Sequence, residues 1–174
     1  DYYASRGLGD VYKRQAIDTI DKNLDAKAIL LTYPTYYGKV YDLKTICNYA
    51  HSKGMMVIVD EAHGAHLGLS DKLPMTALEQ GADIVVQSTH KTLPSFTQSS
   101  MIHIQGERVN QERLTSILRM IESSSPSYML MSSLELAVDI YETKGKDLMD
   151  ELLDNIDTVS YTHLRAHETR SNLV

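Results

Sequence analysis

Two short apolar runs in this chain end in residues able to do chemistry. Asp83-Ile84-Val85-Val86-Gln87 leads into Ser88-Thr89-His90-Lys91, and Met55 to Asp60 leads into Glu61-Ala62-His63. Ile84 to Val86 has the pattern of a buried parallel strand, so Lys91 falls just past its carboxyl end, where open α/β sheets bind ligands. A lysine there can attack an aldehyde. An acid at an earlier strand end can hold a proton on a ring nitrogen. Together they are what a pyridoxal 5'-phosphate (PLP) site needs: the lysine forms the Schiff base and the acid pairs with the pyridinium nitrogen. An aspartate ending a strand, taken alone, is more often a turn or helix-capping residue. Its pairing with Lys91 is what favours the chemical role.

The elements that must position these groups read as strand and helix in alternation. Ala28 to Thr32 is a short apolar strand. Leu43, Ile46, Cys47 and Ala50 recur at i, i+3, i+4 and i+7, an amphipathic helix stopped by Gly54. Strand Met55 to Asp60 follows, then a loop, a short helix over Thr76 to Gln80, strand Asp83 to Gln87, and a fourth strand candidate at Met101 to Ile104. This β-α-β repetition predicts an α/β fold with a mostly parallel sheet and helices on its faces. Three helical stripes come next: Leu114, Ile117, Leu118 and Ile121; then Leu134, Ala137, Val138 and Tyr141; then, after an interruption at Gly145, Met149, Leu152, Leu153 and Ile156. All three read as core.

The two ends read differently. Asp10 to Gln15, DVYKRQ, back-translates to GATGTGTATAAGAGACAG, which looks like the mosaic end used in transposase-based DNA library preparation. Val159 to Leu164, VSYTHL, reads the reverse complement of the same element. The match continues outward through SRGLG and RAHET, as in the flanking adaptor. Residues 1–15 and 159–174 are therefore expected to be adaptor-derived and are set aside from the fold. Without them, 12 Lys+Arg stand against 20 Asp+Glu, and the net charge moves from −6 to −8. Such an acidic chain, with no basic cluster, argues against a nucleic-acid partner. No apolar run approaches a membrane span of roughly 20 residues. The single cysteine, Cys47, excludes an internal disulfide and suits a reducing, cytoplasmic setting. It reads as helix packing. No metal is expected.

Three ordered motifs carry a resemblance. VDEAHGAH, LPMTALEQGADIVVQSTHKTLPSFTQSSMIHI and SSSPSYMLMSSLELA resemble the major domain of the Orn/Lys/Arg decarboxylase family. LTYPTYYG fits its Gram-positive-type arginine/lysine branch. The resemblance runs through most of residues 16–158 and implies the aspartate-aminotransferase fold type I, a partial three-layer sandwich followed by helices. It also implies PLP as cofactor, a basic amino acid (arginine, lysine or ornithine) as substrate, and a role in polyamine metabolism.

By this resemblance Lys91 is the Schiff-base lysine and Asp60 the partner of the ring nitrogen. Ala62 matches the position whose small side chain packs under the ring. His63 falls near the ring's phenolic oxygen or the substrate carboxylate; read alone, it is a hydrogen-bonded polar residue, as is His66. Ser88 and His90 match positions that bind the cofactor phosphate. Thr35, in PTYYG, falls over the ring's oxygen face, although the same residues also spell a plain turn. Ser123 to Tyr128, including Ser124 and Ser125, resembles the segment that reaches the phosphate of the partner subunit's cofactor. The resemblance thereby implies a homodimer or higher oligomer with shared sites. Its alternative is a helix N-cap, with Ser125-Pro126 or Ser127 starting the next helix.

The family's upstream phosphate loop and its small C-terminal domain are not in this sequence, so the chain is expected to be an internal fragment without turnover of its own. Two other readings compete. A PLP-dependent aminotransferase or lyase would share the fold. VDEAH also spells a motif of DEAH-type helicases, but such enzymes need a GxxxxGK[ST] loop, which this sequence lacks. The helicase reading also leaves Lys91 and SSSPSY unexplained.

Overall fold

A computed structural model describes residues 6–171, with side chains from residue 9 to residue 162. Expectations that fall on residues 1–5 and 172–174 lie outside the described residues. Four strands form one sheet in chain order: β1 (Ala28–Thr32), β2 (Met56–Asp60), β3 (Ile84–Gln87) and β4 (Met101–Ile104). The first three run parallel, with Thr32 opposite Asp60 and Asp60 opposite Val86. Their carboxyl ends therefore lie side by side, and the residues that follow each strand meet at one rim.

β4 runs antiparallel to β3, Gln87 opposite Met101, unlike the parallel pairing that the repeat led us to expect. The connection holds a single helical turn, α3 (Thr89–Thr92), instead of the crossover helix that a parallel return takes. The chain comes straight back along β3.

Side chains alternate across a sheet, so Ile29, Leu31, Val57, Val59 and Val85 share one face. Two helices close over it: α1 (Arg6–Lys22) through Ala16 and Ile20, and α2 (Leu43–Ser52) through Leu43, Ile46, Cys47 and Ala50. The α2 stripe is buried as its spacing predicts. Asp42 caps the helix by accepting from the Thr45 backbone N–H at 3.1 Å. Gly54, at φ +75°, ends it in the left-handed conformation that glycine adopts without strain. Burial pushes the Cys47 thiol up to about 12, consistent with a packing role. On the opposite face Leu30 is 70% exposed and Val86 and Ile102 are partly so.

α1 continues back through Asp10–Gln15, with the Tyr12 ring centroid 5.8 Å from that of Tyr41 and Lys13 3.5 Å from Asp42. α5 (Tyr128–Ser171) likewise runs through Val159–Leu164. Both segments, adaptor-derived by the sequence reading, are thus helical and continuous with the fold.

Three local expectations are corrected. Thr76–Gln80 forms a turn, not a helix. Thr76 and Glu79 cap each other, Glu79 accepting from the Thr76 N–H at 2.7 Å and Thr76 Oγ1 from the Glu79 N–H at 3.2 Å, but Gly81 at φ +99° ends the turn before a second one forms. The stripe of α4 (Gln111–Ile121) is not core: none of its residues is buried, and Ile121 is 74% exposed. Gly145 does not interrupt α5. A Cβ there would collide with the Leu69 side chain, so its bare backbone lets the helix lie against the 3-10 turn Leu67–Leu69. No described helix is long and apolar enough to cross a membrane.

Asp83, just before β3, anchors the far end of the sheet. Its buried carboxylate accepts from the Val57 backbone N–H at 2.7 Å, with His51 Nε2 at 2.8 Å and the Arg108 guanidinium at 3.6 Å. Asp83→Ala leaves that buried N–H without a partner. We expect a loss of about 3 kcal/mol, seen as a fall in Tm of roughly 10 °C. A melt within about 2 °C of the parent would show that the anchor contributes little.

Candidate active site

Lys91 is the third residue of α3, one turn beyond the end of β3. The turn is closed by Lys91 N–H to Ser88 C=O at 3.0 Å and Leu93 N–H to Thr89 C=O at 2.9 Å. It stops there because Pro94 follows: Leu93 is extended (φ −120°, ψ 160°), the conformation favoured by a residue preceding proline. Lys91 is exposed, and its Nζ lies 3.3 Å from His63 Nε2.

His63 comes from the loop after β2. Asp60 Oδ1 accepts from the Ala62 N–H at 3.0 Å, which turns the chain back at the strand end. Gly64 then tucks the loop inward: a Cβ there would sit 2.8 Å from Pro34 Cδ and 2.5 Å from Glu61 Cγ. His63 also meets the Tyr36 ring edge-on, centroids 5.3 Å apart and planes at 85°. Asp60 itself is exposed and keeps its second carboxylate oxygen free of hydrogen bonds from the described residues.

The sequence-predicted residues fall into two groups. Lys91, His63, Asp60 and Ala62 occupy adjacent strand ends, with Ser88 and His90 flanking Lys91 along the chain. Ser88 stands at the N-cap position of α3, yet its side chain makes no capping bond, so its hydroxyl remains available. His90 Nδ1 lies 2.8 Å from the Ser99 carbonyl. A carbonyl only accepts, so Nδ1 carries the hydrogen and Nε2 is left for a ligand. Thr35 is used locally: its hydroxyl accepts from the Lys39 N–H at 3.1 Å in a turn completed by Gly38 at φ +73°. It is the neighbouring Tyr36 that reaches His63. Ser124 and Ser125 lie exposed in the bend between α4 and α5, and the described contacts do not join them to Lys91 or Asp60. Ser127 is the capping residue, its hydroxyl accepting from the Leu130 N–H at 3.4 Å. His66 is partly buried with Nδ1 unpartnered, and burial holds its pKa below the usual histidine value.

The residues present fit a phosphorylated aldehyde cofactor on three counts. Among the described residues the Lys91 amine meets an imidazole and no carboxylate. Asp60 has an acceptor oxygen to offer at the same rim. The hydroxyls of Thr89, Thr92, Ser95 and Ser99, all within eight residues of Lys91, are buried without partners, as is uncommon for polar atoms in a finished fold. Tyr36 was not read from the sequence as a site residue. The paired aromatics Tyr36-Tyr37 in a turn were the signal that could have flagged it, since both stand exposed at this rim.

Residues 6–172 match the family described as Orn/Lys/Arg decarboxylase, major domain. The arginine decarboxylase of Bacillus subtilis (strain 168) is 44% identical over 129 residues, which cover 74% of this chain and 26% of that protein. YaaO, an uncharacterized protein of the same strain, is 45% identical over 140 residues, 79% of this chain and 29% of its own length. The chain thus spans between a quarter and a third of these relatives. The constitutive lysine decarboxylase of E. coli superposes with a TM-score of 0.60 at 24% identity, over 74% of this chain and 19% of that one. The serine palmitoyltransferase of Sphingomonas wittichii does so with a TM-score of 0.58 at 18% identity, over 80% of this chain and 36% of that one. Those two likenesses speak for the fold alone, a mixed sheet with flanking helices of the fold type I architecture found in PLP-dependent enzymes. The family match leaves no room for the helicase reading of VDEAH. The chain belongs to the Orn/Lys/Arg decarboxylase family.

Proposed function

We propose that the protein to which this chain contributes removes the α-carboxylate of arginine, lysine or ornithine with the help of PLP. The observation that carries the reading is the meeting of Lys91 Nζ and His63 Nε2 at 3.3 Å, beside a strand end bearing Asp60. When bound, PLP supplies an aldehyde that takes an amine and a ring that accepts the electron pair left by departing carbon dioxide. The chain's own residues do the rest. Lys91 must be uncharged to attack, and His63 Nε2 is placed to accept its proton. Asp60 offers a carboxylate oxygen to a protonated ring nitrogen and so keeps that proton in place. The Ser88 hydroxyl and the free Nε2 of His90 would hold the phosphate. Ala62 leaves room beneath a ring.

Further parts of the reading rest on family likeness. Ser124 and Ser125 reach a partner subunit's cofactor phosphate in a homodimer or larger assembly. A cytoplasmic setting suits the buried free thiol of Cys47. Residues 1–15 and 159–174 are adaptor-derived, supported by two flanks that match one adaptor in opposite orientations. Sequencing the locus from libraries made without a transposase tests that point, and recovery of the same flanks would refute it.

The function is tested on the full-length enzyme, by assaying carbon dioxide release from the three basic amino acids alongside amino transfer to a keto acid. Carbon dioxide release supports the decarboxylase reading, whereas keto-acid-dependent transfer without it makes the protein an aminotransferase. The 174-residue chain by itself is expected to release no carbon dioxide and to bind PLP weakly. A soluble dimer of this chain that binds PLP tightly and decarboxylates any of the three would overturn that expectation.

A further inference from the structure

We propose that Glu61, Gln87 and His103 are positioning residues: a buried hydrogen-bond chain across β2, β3 and β4 that fixes where Asp60 and Lys91 stand relative to each other. The inference rests on the site assigned above and adds to it three residues that do not face the site.

The placement follows from alternation along the strands. Glu61 comes directly after Asp60 and continues β2, its N–H donating to the Val86 carbonyl at 2.9 Å. Gln87 comes directly before Ser88. Asp60 pairs with Val86 on one face, so Glu61 and Gln87 fall on the other, where His103 joins them because its partner Val85 has the same facing. Glu61 is 0% exposed. One of its carboxylate oxygens accepts from the Ala77 N–H at 2.7 Å and the other from Gln87 Nε2 at 2.6 Å. Gln87 Oε1 faces His103 Nε2 at 2.9 Å. A cavity of about 460 Å³ between this face and α5 adjoins the chain, lined in part by Gln87, His103 and Tyr141.

Stability alone is a poor reason for such a chain. Burial raises the Glu61 pKa, with the Ala77 and Gln87 donors opposing that rise. Burial also lowers the pKa of His103. A well-packed apolar trio would avoid both desolvation costs. What the polar chain adds is direction and register. An amide has one donating and one accepting end, so with Glu61 accepting, Gln87 Oε1 can only receive the Nε2–H of His103. A shift of β2 against β3 would leave a buried carboxylate without its donors, at a cost that apolar contacts do not impose. The two strand ends that carry Asp60 and Lys91 are thereby held at one spacing.

The test uses Gln87→Leu and the exchange pair E61Q/Q87E in the full-length protein. The exchange keeps every bond: the new amide accepts from Ala77 and donates to the new carboxylate, which accepts from His103. Two readouts are taken below the melting temperature of each variant. In the PLP-free protein, the ring resonances of His63 report its contact with Lys91; they should move in Gln87→Leu and return in the exchange. In the PLP-loaded enzyme, Gln87→Leu should lower kcat about 100-fold, the scale of a displacement near 1 Å at a reacting centre, and the exchange should recover it to within about tenfold. A Gln87→Leu protein that melts lower but keeps the parent His63 resonances and kcat would make the chain core packing only, overturning the proposal. So would a folded exchange variant that restores neither readout. Should the parent enzyme prove inactive, the assigned reaction fails on its own, and the His63 resonances still decide for or against the clamp.

Discussion

Lys91→Ala in the full-length enzyme should abolish the yellow absorbance of lysine-bound PLP and lower kcat/KM by at least about four orders of magnitude, ~5.5 kcal/mol of transition-state stabilisation. The size of the effect follows from what the residue is asked to do. Under the proposed function its amine would bond to the cofactor aldehyde, and the described contacts place no second lysine at this rim. The substitution should leave the fold intact. Lys91 is exposed, and α3 is closed by backbone bonds that alanine retains, so a stability change within about 0.5 kcal/mol is expected. Unchanged melting with lost absorbance separates a chemical role from a structural one. Borohydride reduction provides the stringent check: a stable lysine adduct at another position in the variant would make Lys91 the wrong nucleophile.

Asp60→Asn is expected to cost about two orders of magnitude or more in kcat, ~3 kcal/mol, with a smaller change in KM. Asparagine preserves shape and can still accept from the Ala62 N–H, so the turn that presents His63 survives. What would disappear, under the proposed function, is the charge that would favour a proton on the ring nitrogen. In the proposed decarboxylation that charge would matter most as the carboxylate departs, so the loss should fall on the transition state more than on binding. Turnover near the parent value would remove Asp60 from the mechanism.

Most of the rim was legible in the chain because strand ends are punctuated. β1 has the bounds that its apolar run predicts, and β2 begins one residue later than expected. The stripe of α2 is buried throughout because its spacing, cap and stop agree with one another. The misreadings have different causes. Gly145 is a helix breaker by local propensity, but in the fold it is the notch that admits Leu69, a contact between residues far apart in sequence. Thr76 to Gln80 has a proper start signal and no room to continue. The direction of β4 depends on what fills its connection, which apolar periodicity does not report. At the candidate site, Lys91 and Asp60 could be proposed separately, but the contact of Lys91 with His63 joins residues 28 apart, and the edge-on packing of Tyr36 is likewise tertiary. Pairings of this kind leave no local mark on the sequence.

α5 is fastened at two places that matter to the rim. Ser133 Oγ accepts from the Phe96 N–H at 3.1 Å, in the loop just after Lys91. Farther along, Lys146 meets Asp71 at 3.1 Å and Lys72 meets Asp154 at 2.7 Å, in the same β2–β3 connection that carries His63. The sheet pairings join residues 26 to 28 positions apart in β1, β2 and β3, whereas the α5 fastenings span 37 to 82. Closing longer loops costs more chain entropy, and the far partner also emerges later from the ribosome. The parallel strands can therefore assemble while α5 is still being made. The loops bearing Lys91 and His63 gain their fastenings to α5 only when that helix arrives, so the time order of folding puts the sheet first and these last restraints on the rim after it.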